Sequence, residues 1–248
     1  MRGATEIHCM PSPGHATISM STDSFAEEEM NLLLATGNCH KVTEISAILR
    51  GHLGARFERV RILTIKDMPP HHAPEEKGDT FLDNALVKGR YYAGLGTTLT
   101  LADDSGLEVD ALEGRPGIFS SRYAPSDKER ISRLLEELEG VPHASRGARF
   151  VCTAVLVHPD GAWNSNVGYC HGWIAGEPRG DNGFGFDPVF FIPSRSMTMA
   201  ELSMEEKNKI SHRAVAISGL VPLLNKLIDL RGSENHNKTL KLFDHKSE

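Results

Sequence analysis

Hydrophobic and polar residues alternate along the first half of the chain in periods that predict strands and helices in turn. Short apolar runs bounded by turn residues predict strands, and apolar residues spaced three and four apart predict helices. The predicted order is a strand at 31–35, a turn at 36–38, a helix that stops at Gly51, a strand at 57–65, a helix at 80–93 and a short strand at 99–102.

The second half of the chain adds a hairpin and further helices. The predicted order is a helix after a capping box at Ser126 and Glu129, a hairpin of 149–157 and 163–173, a second capping box at Ser203 and Glu206, and a final helix with apolar positions 217, 220, 224 and 227. Pro222 lies inside the last helix and should kink or divide it. Mixed strand and helix order with an antiparallel hairpin predicts an α/β or α+β sheet protein.

The polar ends of the sequence set the expected domain boundaries. Residues 1–29 are small and polar, carry an acidic run at 27–29 and lack any periodicity, so we expect a loosely ordered tail. Residues 30–231 form the predicted domain. Residues 232–248 are again polar apart from a few apolar positions and predict a second tail or a short surface element.

Composition narrows the class of protein. A chain of 248 residues that is 40% hydrophobic and 24% charged can bury one substantial core, and its net charge of −6 argues against binding a nucleic acid polymer. The longest apolar run, 150–157, is too short to span a membrane, and the first residues lack a secretory signal. The four cysteines are scattered without zinc spacing: Cys9, Cys39, Cys152 and Cys170. We therefore expect a cytoplasmic protein with no membrane partner.

A glycine turn between the first strand and helix is a candidate phosphate site. Such a turn presents free backbone N–H groups and the positive end of a helix dipole, and Lys41 adds a full charge. The P-loop pattern is absent, so Asn38 could equally be a plain helix cap and Lys41 a surface residue. By itself, this segment favours the structural interpretation.

Two pairs of carboxylates form a candidate metal site. Asp103 and Asp104 end the predicted strand, where successive side chains point to opposite faces, so we expect only one of them to face a given cleft. Together with Glu75 or Glu76 they could supply the one or two carboxylates that Mg²⁺ usually takes from a protein. For the glutamates alone, a solvent-exposed role is the simpler interpretation.

Two later segments could complete a ligand pocket. The glycines of segment 180–188 (GDNGFGFDP) leave Phe184 and Phe186 free to stack on a planar ligand, although Phe186 could instead fill the core. Lys207 and the Ser-His-Arg run at 211–213 could neutralise phosphates or donate to a carbonyl on a base edge.

In this order, the motifs resemble those of the inosine triphosphate pyrophosphatase family. The resemblance covers about residues 31–230 and is carried by ATGN (35–38) with Lys41 and Glu44, GDTF (78–81) with Asn84-Ala85 and Lys88, ADDSGL (102–107), VDAL (109–112), GRPGIFSSRY (114–123), GFGFDP (183–188) and SHR (211–213). It departs at Phe186, where many members carry tyrosine.

The resemblance implies a fold and an activity. The implied fold is an elongated mixed sheet in two lobes, flanked by helices, with the nucleotide in a central cleft. The implied activity is hydrolysis of non-canonical purine nucleoside triphosphates such as ITP, dITP and XTP to the monophosphate and pyrophosphate, with Mg²⁺ as cofactor and a homodimer as the assembly.

The resemblance also implies the site residues. They are Thr36, Gly37, Asn38, Cys39, His40 and Lys41 at the triphosphate; Glu76 and Asp104 at the metal; Asp104 as general base with Asp103 beside it; and Ser105, Phe184, Gly185, Phe186, Asp187, Lys207, His212 and Arg213 around the rest of the substrate. Two alternatives stay open, a Maf-type pyrophosphatase of pyrimidine nucleotides and a non-catalytic nucleotide-binding module.

Overall fold

Seven strands form one mixed sheet in the part of the chain that the computed structural model describes, residues 29–230, 239 and 241–245. The strands are β1 (Met30–Leu34), β2 (Val60–Thr64), β3 (Leu99–Val109), β4 (Gly147–Val157), β5 (Trp163–Ile174), β6 (Phe190–Ile192) and β7 (Met197–Thr198). Their order across the sheet is β2-β1-β3-β4-β5-β6-β7. β1 is parallel to both of its neighbours, whereas the pairs from β3 to β7 are antiparallel. The predicted mixed α/β class and the hairpin are confirmed.

The helices flank this sheet. They are α1 (Cys39–Leu53), α2 (Phe81–Gly96), α3 (Asp127–Glu137), α4 (Met204–Ile210), α5 (His212–Ser218) and α6 (Val221–Leu230), with short 3₁₀ segments between several elements. Both predicted capping boxes are present, at Ser126 with Glu129 and at Ser203 with Glu206. The division predicted near Pro222 is also present, because α5 ends at Ser218 and α6 begins at Val221. None of the helices in the described residues is both long and apolar enough to cross a membrane.

Two large apolar clusters lie toward opposite ends of the long strands and form the two expected lobes. One contains Leu99 and Leu101 of β3 and packs against α1, α5 and α6. The other contains Leu107 and Val109, with residues of α3 and β6. A third, smaller cluster packs α2 onto the other face of the sheet. Residues 103–106 thus lie where β3 passes from one core to the next, and the candidate site is there.

Several predicted boundaries were wrong. α1 continues past Gly51 to Leu53, and Gly54, with φ +54°, follows it. Residues 57–59 of the predicted second strand belong to a 3₁₀ segment, so β2 begins only at Val60. β3 does not end at 102 but continues to Val109, because β4 pairs with it along its whole length.

The C-terminal residues that the structure describes pack onto the domain rather than forming a separate polar segment. Phe243 is buried in the first apolar cluster, and the backbones of Trp163 and His245 exchange hydrogen bonds of 2.7 and 3.2 Å. The predicted tail over 1–28, Cys9, and residues 231–238, 240 and 246–248 lie outside the described residues.

Candidate functional site

The turn between β1 and α1 forms one wall of a cavity of about 420 Å³. Asn38 caps α1, since its Oδ1 accepts hydrogen bonds from the backbone N–H groups of His40 (2.9 Å) and Lys41 (3.4 Å). The backbone N–H of Asn38 itself donates to Thr36 Oγ1 at 3.2 Å. This cap fixes the turn and aims the positive end of a 15-residue helix at the cavity.

Asp103 lies behind the cavity wall and binds the side chains of Lys41 and Arg213. It is 2% exposed, and its Oδ2 accepts hydrogen bonds from Lys41 Nζ (2.9 Å) and from Arg213 Nε (3.3 Å) and Nη2 (3.2 Å). Burial alone would raise the pKa of this carboxyl, but Lys41 and Arg213 lower it well below its usual range. Asp103 is therefore an ionised partner for cations rather than a base that can take up protons.

Asp104 points into the cavity from the opposite side of β3, as strand alternation predicts. Its Oδ2 accepts a hydrogen bond from Asn84 Nδ2 at 3.1 Å, and its Oδ1 lies 3.7 Å from Lys88 Nζ. Burial raises the pKa of Asp104, while Lys88 acts in the lowering direction. A carboxylate made more basic by partial burial, and still open to a cavity, has the properties of a general base.

Lys88 joins Asp104 to Glu76. Its Nζ lies 2.8 Å from Glu76 Oε2, and although burial lowers the pKa of this ammonium, Asp104, Asp103 and Glu76 raise it above its ordinary value. Arg122 holds the loop from outside by donating to the backbone oxygen of Glu76 at 2.9 Å. The carboxylates of Glu76 and Asp104 therefore face the same cavity, with the Lys88 ammonium between them.

The glycine-rich aromatic loop closes the opposite wall. Gly183 and Gly185 have φ of +76° and +65°, which the tight turn around Phe184 requires. The backbone N–H of Phe184 donates to Asp187 Oδ2 at 2.9 Å, and that of Gly185 donates to Asp127 Oδ2 at 2.7 Å. Phe184 is thereby held at the cavity wall by carboxylates from its own loop and from α3.

Phe186 has a different environment from Phe184. It is 4% exposed and belongs to the second apolar cluster, where its ring packs 6.2 Å from that of Tyr123. It still contributes to the cavity wall. Both interpretations left open by the sequence therefore apply, since the residue fills the core and borders the cleft.

Lys207 and Arg213 form a buried ionic network behind the cavity. Lys207 Nζ lies 2.6 Å from both Glu44 Oε1 and Asp187 Oδ2, and Arg213 Nη1 lies 2.5 Å from Glu44 Oε2. Arg213 Nη2 also donates to Ser105 Oγ at 2.9 Å. Each buried charge has an opposite partner, which is the condition under which charges persist in an interior.

His212 lies beside this network. Its ring stacks on Phe150 with centroids 4.7 Å apart, and burial together with Arg213 and Lys207 lowers its pKa well below the ordinary value. The residue is 5% exposed, and its lowered pKa keeps the ring uncharged at neutral pH. It is thus a buried, uncharged ring in this structure.

Most of the expected site residues come together around the cavity. The expected residues that line it are Thr36, Gly37, Asn38, His40, Lys41, Glu76, Asp104, Ser105, Phe184, Gly185, Phe186 and Asp187. The expected residues outside the lining are Cys39, which is exposed on α1, and the buried Asp103, Lys207, His212 and Arg213. The buried residues of this second group support the wall rather than face the cavity.

Comparisons with known proteins identify the family of this chain. The model of the Ham1 family matches residues 32–223. The chain belongs to the Ham1 family. A dITP/XTP pyrophosphatase of Desulforamulus reducens is 42% identical over 203 residues, covering 80% of this chain and 97% of that protein. A dITP/XTP pyrophosphatase of Halalkalibacterium halodurans is 46% identical over 191 residues, covering 76% and 95%.

Solved structures of Ham1 proteins have the same fold. A HAM1 protein from Coxiella burnetii is similar with a TM-score of 0.69 and 40% identity, over 79% of this chain and 99% of that chain. The Ham1 protein of Staphylococcus aureus is similar with a TM-score of 0.69 and 38% identity, over 79% of this chain and 99% of that chain. The expected family and fold are confirmed.

Three residues around the Ham1 cavity were missed as site residues by the sequence reasoning. Asn84 and Lys88 both contact the carboxylate side of the cavity, and Glu44 joins Lys207 to Arg213. The spacing of four between Asn84 and Lys88 places them on one face of α2, and Glu44 is three residues after Lys41 on α1. That spacing was the available signal, because polar and charged residues on the inner face of a helix need partners.

Proposed function

We propose that this Ham1 protein hydrolyses non-canonical purine nucleoside triphosphates, such as ITP, dITP and XTP, to the nucleoside monophosphate and pyrophosphate. The chain is a nucleoside triphosphate pyrophosphatase. The observation that supports this most directly is Asp104, a partly buried carboxylate that faces the same cavity as the amino end of α1. The activity removes these nucleotides from the nucleotide pool.

The turn and Lys41 are suited to the triphosphate. Backbone N–H groups at the start of α1 and the Lys41 ammonium provide positive charge on one side of the cavity. Thr36, Asn38 and Ser105 add hydroxyl and amide groups along the same wall. Asp103 keeps Lys41 in place through the 2.9 Å ion pair. We assign the departing pyrophosphate to this side.

The carboxylate side fits a divalent cation. Glu76 and Asp104 supply hard oxygen donors, and within the described residues no group of three His, Cys, Asp or Glu side chains is suited to hold a metal ion. Mg²⁺ suits such a set, because it keeps several waters and takes its other ligands from substrate phosphates. When bound, Mg²⁺ would neutralise phosphate charge and favour ionisation of a water. We therefore propose Mg²⁺ as the cofactor, with Glu76 and Asp104 as its protein ligands.

The chain's own groups provide the proton transfer and the charge stabilisation. Asp104 accepts the proton of the attacking water, and Asn84 and Lys88 hold its carboxylate in position. The water attacks the α-phosphorus, and the bond from this phosphorus to the bridging oxygen breaks. Lys41 stabilises the negative charge that develops on the pyrophosphate.

The aromatic loop is the proposed base site. Phe184 offers a ring face at the cavity wall on which a purine can stack. His212 and Arg213 remain candidate donors to the 6-keto oxygen that distinguishes hypoxanthine and xanthine from adenine. Arg213 is paired with Asp103 and Glu44 behind the wall, so a direct contact with the base requires one of these pairs to open.

We also propose a cytoplasmic homodimer. Cys39, Cys152 and Cys170 are free thiols, which is usual in a reducing compartment. On the outer face of β5, Tyr169 and Trp173 are 46% and 36% exposed, an apolar surface of the kind found at subunit contacts. Sedimentation velocity of the wild type and of a Tyr169→Glu variant tests this, since the substitution should yield monomers.

The direct test is the substrate range of the purified chain with Mg²⁺. ITP, XTP, dITP, ATP, GTP and dTTP are compared, and phosphate is assayed with and without added inorganic pyrophosphatase. We expect phosphate only with the coupling enzyme, and mainly from ITP, dITP and XTP. A preference for dTTP would support the Maf-type alternative, and binding without turnover would support the non-catalytic one.

A further inference from the structure

We propose that His40 covers the base-stacking face of Phe184 and competes with the incoming base for it. This inference rests on the proposed function, in which a purine stacks on Phe184. It gives His40 a role separate from the triphosphate contacts of its neighbours. The residue would set how tightly nucleotides bind without taking part in the chemical step.

The two rings already form a stacked pair. The imidazole of His40 and the ring of Phe184 are nearly parallel, with an interplanar angle of 14° and centroids 5.5 Å apart, and both residues line the cavity. His40 is on the first turn of α1 and Phe184 is in the glycine-rich loop. The pair therefore connects the start of α1, on one side of the cavity, with the glycine-rich loop on the other side.

His40 and two buried cations surround the ring of Phe184. Two buried cations also lie over the Phe184 ring, Lys207 Nζ at 5.0 Å and Arg213 Cζ at 5.7 Å from its centroid. Both belong to the ionic network behind the wall, with side chains 5% and 1% exposed. Of these three neighbours only His40 lines the cavity, so a planar ligand that enters the cavity meets the Phe184 ring beside His40.

The spacing leaves no room for a base between the rings. Stacked aromatic planes lie about 3.5 Å apart at van der Waals contact, so a base between two rings needs about 7 Å. The centroids here are 5.5 Å apart. His40 must therefore move away before a base can stack on Phe184.

The side chain of His40 can rotate. The residue is exposed, and its ring makes no hydrogen bond or ion pair with the described residues, whereas its backbone N–H donates to Asn38 Oδ1 at 2.9 Å. Rotation about its side-chain bonds can release Phe184 without disturbing the helix cap. The ring of His40 can therefore move while the proposed phosphate-binding turn stays in place.

A competing ring predicts a specific binding pattern. If only the fraction of molecules with His40 turned away can stack a base, the apparent Kd is the intrinsic Kd divided by that fraction. Removing the imidazole should tighten every ligand that uses the Phe184 face by the same factor. A ligand with phosphates but no base should not respond.

Calorimetry with two probes tests this pattern. The probes are inosine 5′-(α,β-methylene)triphosphate, which resists cleavage, and inorganic tripolyphosphate, which has no base. His40→Ala should lower the Kd of the first about twofold to tenfold, the range of one aromatic pair, and leave the Kd of the second unchanged. His52→Ala, an exposed histidine on the same helix, is the matched control and should change neither.

The ring contact has a readout that does not depend on affinity. In the free protein, stacking on Phe184 should shift the ring-proton NMR signals of His40 upfield, and these signals should move downfield in Phe184→Leu and on addition of the inosine analogue. Absence of the upfield shift would overturn the proposal.

The binding results separate this proposal from the proposed function. A weaker or unchanged Kd of the inosine analogue in His40→Ala would overturn the role of His40, even if the wild type cleaves ITP. Tighter binding in His40→Ala with no turnover of any nucleotide would support the role of His40 and remove the proposed activity. Failure of the wild type to bind the inosine analogue would overturn both.

Discussion

Asp103 and Asp104 are adjacent in sequence but have different environments. Strand alternation places one behind the sheet with Lys41 and Arg213, and the other in the cavity with Asn84. The pKa of the first is lowered by its cations, whereas burial raises the pKa of the second. Two carboxylates with different proton affinities can divide the work between charge pairing and proton transfer.

Replacing Asp104 with asparagine removes the proposed base and changes the side-chain volume little. We expect kcat for ITP to fall by about 10²–10⁴, the contribution of a positioned general base. The fold should remain, because asparagine can still accept the hydrogen bond from Asn84. Steady-state kinetics and circular dichroism check both expectations.

Glu108 provides the matched control for this substitution. It is on the same strand and pairs with Arg149 at 2.6 Å, away from the cavity. Glu108→Gln should keep kcat within about twofold of the wild type, since a surface ion pair contributes little. Near wild-type kcat in Asp104→Asn would remove Asp104 from the mechanism.

His212 predicts a dependence of stability on pH. Burial first, and then Arg213 and Lys207, lower its pKa in the folded state from the ordinary 6.5, while Asp103 acts in the opposite direction. Below this ordinary value the unfolded chain takes up a proton that the folded chain does not, so stability is lost as the pH falls. The contribution is complete above the ordinary pKa and declines below it.

His212→Phe tests this by removing the ionisable group and keeping a ring to stack on Phe150. Between about pH 7 and pH 5.5, the free energy of unfolding of the wild type should fall by about 1 kcal/mol more than that of the variant. Urea unfolding at the two pH values measures the difference. Equal losses in both proteins would mean that His212 is not buried as a neutral ring.

At the scale of elements, α5 lies directly against β5 at a glycine. A Cβ at position 168 would lie 2.1 Å from the backbone oxygen of His212 and 2.4 Å from the backbone nitrogen of Ala216. A contact with backbone atoms cannot be relieved by a side-chain rotation. The missing side chain therefore lets the helix carry His212 and Arg213 close to the sheet.

Gly168→Ala should push α5 away from the sheet. We expect the free energy of unfolding to fall by about 1–3 kcal/mol, as for other overpacked interiors. Gly176→Ala is the control, because a Cβ there would meet nothing within 4 Å. Urea unfolding of both variants at neutral pH makes the comparison, and equal stability of the two would contradict the close packing.

Element types were more predictable than element ends. The capping boxes and the effect of Pro222 follow from local chemistry, so the sequence was sufficient for them. The end of β3 depends on pairing with β4, which starts more than 30 residues later. The polar residues from 103 onward suggested that the strand ends there, but pairing with a distant strand decided their conformation.

At the scale of the molecule, C-terminal residues beyond the matched family region contribute to the core. The family model ends at residue 223, yet Phe243 is 3% exposed within the cluster that supports α1 and α6. Asn164 also contacts Asp244 by a hydrogen bond near the start of β5. This segment is therefore part of the folded domain.

Phe243→Ala should lower the free energy of unfolding by about 3 kcal/mol, because a large buried side chain is lost. The KM for ITP should stay within about twofold, since the residue is outside the cavity lining. Lys241→Ala, at an exposed position of the same segment, should leave stability unchanged. A Phe243→Ala protein as stable as the wild type would show that the segment does not support the core.

The residue types of the candidate site were predictable from the sequence, but how deeply each residue is buried was not. The sequence indicated Lys207 and Arg213 as candidate site residues, and the positive charges of these two side chains suggested contact with phosphates. Their burial depends on partners far away in sequence, Glu44 for both and Asp187 for Lys207. No local pattern shows whether a cation faces a ligand or a buried carboxylate.

The position of bond cleavage tests the account most directly. ITP is hydrolysed by the wild type with Mg²⁺ in ¹⁸O-labelled water, and both products are examined by mass spectrometry. Attack of water on the α-phosphorus predicts one ¹⁸O atom in the inosine monophosphate and none in the pyrophosphate. Label in the pyrophosphate, or release of inosine diphosphate with inorganic phosphate, would contradict it.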